Sequence, residues 1–234
     1  MNGYADGFWG AWTLIFTFDP ALYEIILLSL QVTISAVIIA SLIGLPMGAW
    51  LAVNRFKFRR YVIAVLNALM GLPPVVVGLF VYMLLSRAGP LGGFGLLFSP
   101  TAMVIAQVII ITPLIASISH QTIRDLWAEY HDLLISMNAS RTQRIKALLW
   151  DGKRALLTAT LAGFGRAIGE VGAIIIVGGN IEHATRVLTT AIALETSKGN
   201  FAFAMGLGLV LITLAVIINL MIHIIGKTER ASTW

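Results

Sequence analysis

Apolar residues run along this chain in blocks far longer than the core of a soluble helix requires. About 20 consecutive apolar residues cross a hydrocarbon layer, and five such blocks are present: Ala21 to Val53, Tyr61 to Ser86, Thr101 to Ser117, Ala155 to Val177 and Phe201 to Ile225. The first is longer than one hydrocarbon core, and Gly44, Pro46 and Gly48 predict a kink or an end within it. A shorter apolar segment, Phe8 to Phe18, precedes them; with aromatics at 8, 9, 12, 16 and 18 it is expected to lie in the membrane interface. The pattern predicts an all-α integral membrane protein of about five transmembrane helices plus an N-terminal interfacial helix. No cleaved signal peptide is expected, because the start lacks the basic region and small-residue cleavage site.

Composition narrows the picture. Of 234 residues, 58% are hydrophobic and 12% charged, against about 25% charged in soluble domains. There is no cysteine, which excludes disulfides, thiol catalysis and cysteine-metal sites. The net charge of +5 would suggest nucleic acid in a soluble protein; here it follows the loops, and no nucleic-acid partner is expected. Twelve of the sixteen Lys and Arg fall in the 54–60 loop, the 119–154 segment and the C-terminal tail, whereas the opposite side holds Arg87, Arg186 and Lys198. Basic loops stay in the cytoplasm, so a multi-pass protein of the cytoplasmic membrane is expected, its N-terminus outside and its C-terminus inside.

The external loops differ in character. Residues 86–100 carry Pro90, Pro100 and glycines at 92, 93 and 95, the chemistry of turns, whereas 178–200 is polar enough to lie in water. No repeat relates the two halves, which counts against common secondary-transporter architectures.

Catalytic constellations are missing. Gly226-Lys227-Thr228 ends like a phosphate-binding loop, but Met221 stands where its first glycine belongs. Gly163-x-Gly165 is followed by Ile168 where a third glycine is required. Histidines 120, 131, 183 and 223 have no metal-ligand spacing. No cofactor is expected, and the energy for any transport must come from a gradient or from a nucleotide-binding partner.

Within the blocks, Arg166 and Glu170 are four residues apart and are expected on one helix face. A charge at mid-bilayer costs about 2.5–3.5 kcal/mol on insertion scales. The pair reads either as a structural ion pair or as a contact for a divalent oxyanion. Gly44-x-x-x-Gly48 and Gly165-x-x-x-Gly169 have the spacing of close helix packing, with a hinge as the alternative. Pro73-Pro74 breaks the helical ladder where freed carbonyls need partners or a cavity. Glu24 reads as a surface charge near the outer end of the first block.

Segment 119–154 is too long for a turn. Ala128 to Ser136 favours helix, Asn138 suits a left-handed end, and Ser140 suits the cap of a second helix from Arg141. Such a corner reads as a docking knob or as a solvated amphipathic loop.

Asp132-Leu133-Leu134, three residues, then Asn138-Ala139 resembles the EAA loop of ABC-importer permeases, with Asp132 at the glutamate, Leu133 and Leu134 at the alanines and Asn138 at the glycine. Met70-Gly-Leu-Pro-Pro-Val-Val-Val-Gly78 resembles a stretch of molybdate and tungstate permeases. Gly163-Phe-Gly-Arg-Ala-Ile-Gly-Glu-Val-Gly-Ala173, followed by Gly179-Asn-Ile181, resembles their fourth-span signature. Val177-Gly-Gly-Asn-Ile181 and Glu195-Thr-Ser-Lys-Gly199 are more similar to the tungstate branch.

The resemblance implies a type I ABC-importer permease fold, with 1–234 as a single transmembrane domain and no enzymatic activity of its own. It implies a homodimer in membrane lipid, cytoplasmic ATP-binding cassette subunits and an extracytoplasmic oxyanion-binding protein. ATPase coupling then falls to Asp132, Leu133, Leu134, Asn138, Ala139, Ser140 and Arg141, and the pathway or gate to Pro73, Pro74, Arg166 and Glu170. The implied cargo is tungstate, with molybdate or another oxyanion such as sulfate as alternatives. An ion-coupled secondary transporter or channel is the competing class; of its required intramembrane ionisable groups only Arg166 and Glu170 qualify. A membrane-embedded enzyme lacks a catalytic set.

Overall fold

The computed structural model of the protein describes residues 20–231; the aromatic segment 8–18 lies outside them. Among the described residues the chain is all α. Its helices are α1 (Pro20–Val53), α2 (Arg59–Met70), α3 (Pro74–Leu85), α4 (Pro100–Ser136), α5 (Arg141–Asp151), α6 (Lys153–Ile168), α7 (Gly172–Gly178), α8 (Leu188–Ser197) and α9 (Phe201–Ala231). Three stretches are long and apolar enough to cross a membrane, Pro20–Val53, Pro100–Ser136 and Phe201–Met221, or up to five when α2 with α3 and α6 with α7 each count as one broken span. The protein has an all-α, multi-pass membrane fold.

Several boundaries differ from the sequence reading. Helix α1 passes through Gly44, Pro46 and Gly48 without ending. Helix α4 does not stop at Ser117 but continues to Ser136, because His120 to Tyr130 is polar yet free of glycine and proline. The second block is interrupted at 71–73 and the fourth at 169–171. The 178–200 loop contains α8, whose Leu188 and Ala191 are buried.

Contacts group the chain into two compact units. One holds residues 20–36, Pro73–Gln107 and Gly165–Ile218. In it, Leu22 and Ile25 of α1 bury against Leu188 and Ala191 of α8 and Leu207 of α9. Ser29 joins α1 to α8, accepting a 2.7 Å bond from the Leu188 N–H. Helices α3 and α7 meet at small residues: a side chain at Gly172 would begin 2.6 Å from a Val75 methyl carbon.

The other unit holds Val37–Leu72, Val108–Phe164 and the chain from Asn219. Here α1 and α4 approach through Gly44 and Gly48. A Cβ at Gly48 would lie 2.4 Å from the Ala116 carbonyl oxygen, so only glycine fits. The Ser119 hydroxyl donates to the Leu45 carbonyl at 2.8 Å across the same seam. Ala49, Ala52, Val53, Ile123, Leu148 and Leu156 form a core joining α1, α4, α5 and α6. Arg59 turns back onto α1, its Nε donating to the Leu51 carbonyl at 2.7 Å.

Gly165-x-x-x-Gly169 behaves unlike the Gly44 pair. A Cβ at Gly165 would meet nothing within 4 Å, and one at Gly169 only the Gly165 carbonyl oxygen at 3.9 Å. Among the described residues the spacing therefore packs no neighbouring helix.

Candidate functional site

The corner after α4 is built entirely from local chemistry. Asn138 is left-handed, with φ 51°. Its N–H donates to the Ile135 carbonyl at 2.8 Å, and the Ala139 N–H donates to the Leu134 carbonyl at 3.1 Å. These two bonds make a Schellman motif, which satisfies the carbonyls a helix end otherwise leaves open. The next helix starts with a capping box: the Gln143 N–H donates to Ser140 Oγ at 3.4 Å, and the Ser140 N–H to Gln143 Oε1 at 2.7 Å. Arg144 braces the turn, donating from Nε to the Ala139 carbonyl at 2.8 Å, its guanidinium 5.8 Å from the Trp127 ring centroid.

The predicted residues divide by role. Leu134 packs against the core of this unit, and Ala139 is half-buried inside the turn. Asp132, Leu133 and Arg141 are exposed. Asp132 caps no helix; its carboxylate meets His131 Nδ1 at 2.8 Å. Sequence reasoning missed Ile135 and Met137, which are apolar and exposed, Met137 at 69%. Their signal was present: two large apolar side chains beside a helix end in a segment otherwise read as polar.

The second group surrounds the break between α6 and α7. Glu170 lies past the end of α6, so it shares no helix with Arg166, but the two still meet, Arg166 Nη1 standing 3.6 Å from Glu170 Oε2. The Glu170 side chain is 6% exposed and Arg166 43%. The other carboxylate oxygen accepts from the Ala173 N–H at 3.4 Å, in the first turn of α7. Backbone groups freed by the break find side chains, as a membrane interior demands. Gln107 Nε2 donates to the Ala167 carbonyl at 3.1 Å, and the Thr189 hydroxyl to the Glu170 carbonyl at 2.9 Å. Pro73 and Pro74 occupy the other break: Pro73, extended, precedes α3, and Pro74 begins it without needing an N–H donor. Leu72, Val75 and Val76 beside them are exposed.

The signature glycines have separate work. Gly179 (φ 73°) and Asn180 (φ 51°) are left-handed and end α7. A Cβ at Gly179 would lie 2.9 Å from the Phe98 ring. Nearby, a cleft of about 280 Å³ is lined by charged groups including Glu24, His183, Arg186 and Glu195. Glu24 is bonded rather than free: its carboxylate meets His183 Nδ1 at 2.8 Å. Glu195 accepts from Lys198 Nζ at 2.9 Å and Asn200 Nδ2 at 3.0 Å. The Lys198 bond holds its carboxyl below the usual carboxylate range; burial opposes this, and Asn200 and Arg186 reinforce it. Among the described residues no cluster of His, Asp and Glu is arranged to hold a metal.

The family of binding-protein-dependent transport system inner membrane components matches residues 44–230. This chain belongs to that family. The permease is also similar to individual members. The tungstate uptake system permease TupB of Peptoclostridium acidaminophilum is 40% identical over 95% of this chain and 98% of its own length. A probable anion ABC transporter permease of Haloferax volcanii is 37% identical over 85% and 88%. The tungstate uptake permease TupB of Campylobacter jejuni is 35% identical over 95% and 93%. The permease is thus a transport subunit, and the resemblance read from its motifs to oxyanion-importer permeases holds.

Proposed function

We propose that this permease conducts tungstate inward across the cytoplasmic membrane. It acts as one of two copies, fed by an extracytoplasmic oxyanion-binding protein and driven by separate cytoplasmic ATPase subunits. Residues 1–234 serve as one transmembrane domain, N-terminus outside and C-terminus inside, in keeping with the basic loops. Support for tungstate comes from the two relatives named for its uptake, which align along nearly the whole chain, and from the motifs around Gly179 and Glu195. Molybdate and sulfate are the alternative cargoes.

One observation carries the coupling: a hydrogen-bonded corner at Asn138 that holds Leu133, Ile135 and Met137 out from the protein. Exposed apolar side chains on a rigid turn need a protein cleft to cover them. In this reading Leu134, Asn138, Ala139 and Ser140 shape the corner, while Asp132, Leu133, Met137 and Arg141 meet the ATPase.

The pathway reading rests on Arg166. Its guanidinium is half-exposed within a membrane span, beside Gly165, around which there is open space. A lipid-facing charge would be costly, so this face belongs to a watered passage, where Arg166 attracts a dianion. Glu170 is then the structural member of the pair, and the chain breaks at Pro73-Pro74 and Glu170 supply the gate.

Met137→Asp tests the assignment. The side chain is exposed, so the variant inserts normally. Its carboxylate, buried without a partner at the ATPase, costs several kcal/mol, and ATPase co-purification and tungstate uptake should both fall more than tenfold. Unchanged co-purification would remove the corner from the mechanism. Competition by molybdate and sulfate in the same uptake assay separates the cargoes.

A further inference from the structure

The unit containing Val108–Phe164 carries an apolar groove of about 530 Å³ between α1 and α6. Its walls are Val37, Ile38, Leu42 and Leu45 from α1 and Leu156 and Leu157 from α6. The Ser41 hydroxyl, which donates to Thr160 Oγ1 at 3.3 Å, fixes the two helices side by side. With Ser41 level with Thr160, and Ala49 and Ala52 clustered with Leu156, the two helices run antiparallel.

Apart from the paired Ser41 and Thr160 hydroxyls, the groove is apolar except at one end. Lys153, the first residue of α6, lines it there. Its ammonium stands 4.4 Å from the centroid of the Trp150 ring, which is 73% exposed. Arg154, the next residue, is also exposed. Among the described ion pairs none involves Lys153, Arg154 or the nearest carboxylate in the sequence, Asp151. A tryptophan with a lysine at the end of an apolar surface marks the depth at which hydrocarbon gives way to headgroups. The cation–π contact orients the ammonium without neutralising it.

Length identifies what fits. The α1 wall from Val37 to Pro46 rises about 14 Å at 1.5 Å per residue. One leaflet contributes about half of a hydrocarbon core of about 30 Å. The groove therefore accommodates one leaflet's acyl chain, and its only charged lining group awaits whatever sits at that chain's head.

The geometry points to a specific site for one anionic phospholipid, its acyl chain along Leu42 and Leu157 and its phosphate at Lys153. Basic groups at the cytoplasmic end of membrane helices attract anionic headgroups, and the proposed orientation of the chain puts Lys153 on that side. The lipid seals the α1–α6 seam below the helical corner.

Native mass spectrometry of the full-length permease, with phosphatidylglycerol and phosphatidylcholine of identical chains, tests this. Phosphatidylglycerol should be retained about fivefold more tightly, the contribution of one surface lysine. Lys153→Gln should abolish that preference and Lys153→Arg keep it. Leu157→Trp, which fills the groove, should reduce retention of both lipids. Inorganic phosphate should not compete, because it has no chain to bury. Equal retention of the two lipids, a preference that survives Lys153→Gln, or displacement by inorganic phosphate would each overturn the site. So would cross-linking of Leu42→Cys to a second copy, which would make the groove a subunit interface. None of these readouts depends on tungstate or the ATPase.

Discussion

Any side chain at Gly78 would begin 2.7 Å from the Cα of Ala173, so these two residues bring α3 and α7 together backbone to backbone. The space is bounded by main chain, which cannot swing aside. Gly78→Ala should therefore destabilise the fold by about 1–3 kcal/mol, the range for overpacking. Gly93→Ala should do nothing, since a Cβ there meets nothing within 4 Å. Thermal melting of the purified variants compares them, and equal melting points would mean α3 and α7 separate freely.

Asn138 is the second position where one residue type is required. Its φ of 51° costs an ordinary side chain about 1–2 kcal/mol. Asn138→Val should lower the melting point and loosen the corner, whereas Asn138→Gly should leave both unchanged. Protease susceptibility near the corner, with co-purification of the ATPase, checks this. A robust Val variant would show that the turn forms without a left-handed residue.

Arg166 and Glu170 should respond unequally. Removing Glu170 strips the bond to the Ala173 N–H and leaves Arg166 without its partner. Removing Arg166 leaves the carboxylate its backbone donor. Glu170→Ala should cost folded protein by at least about 1 kcal/mol, the scale of a lost helix cap. Arg166→Ala should remain largely folded but lose uptake. The yield of monodisperse protein set against uptake separates the two effects, and a Glu170→Ala protein of normal yield would end the structural assignment.

Acid should loosen the turn after α8. The Lys198 bond lowers the folded-state pKa of Glu195 below its unfolded value near 4.3. The unfolded chain then binds more protons as pH falls. Stability from this group is present above the unfolded pKa and disappears as pH drops through the folded one. The protection factors of amides in the Asn200 region should fall below about pH 4 in the natural protein. Glu195→Gln should exchange faster at neutral pH and lose that acid response. An acid response undiminished in Glu195→Gln would assign it to another group.

Much of this architecture could be read from residue order, and the exceptions share causes. Asn138 and Ser140 announced the corner because helix ends are built from neighbours. The Gly44–Gly48 seam was legible because small residues at that spacing have one common use. The identical spacing at Gly165 left packing and a hinge both open, since spacing cannot say whether a partner is present. The break at Glu170 carries no proline, and hydropathy passes across it. Helix α8 was hidden because Leu188 is anchored by Ser29, 159 residues away. Met137 escaped notice because exposure, not identity, makes a methionine available for contact.

The Schellman turn and capping box have a consequence for how force would pass through the corner. Its hydrogen bonds close within Leu133–Arg144, so the loop is already ordered before any partner arrives. Docking then forfeits little conformational entropy. If the proposed coupling holds, a preorganised knuckle of this kind can be rocked in both directions without melting, and strokes of opposite sense would travel through one rigid joint.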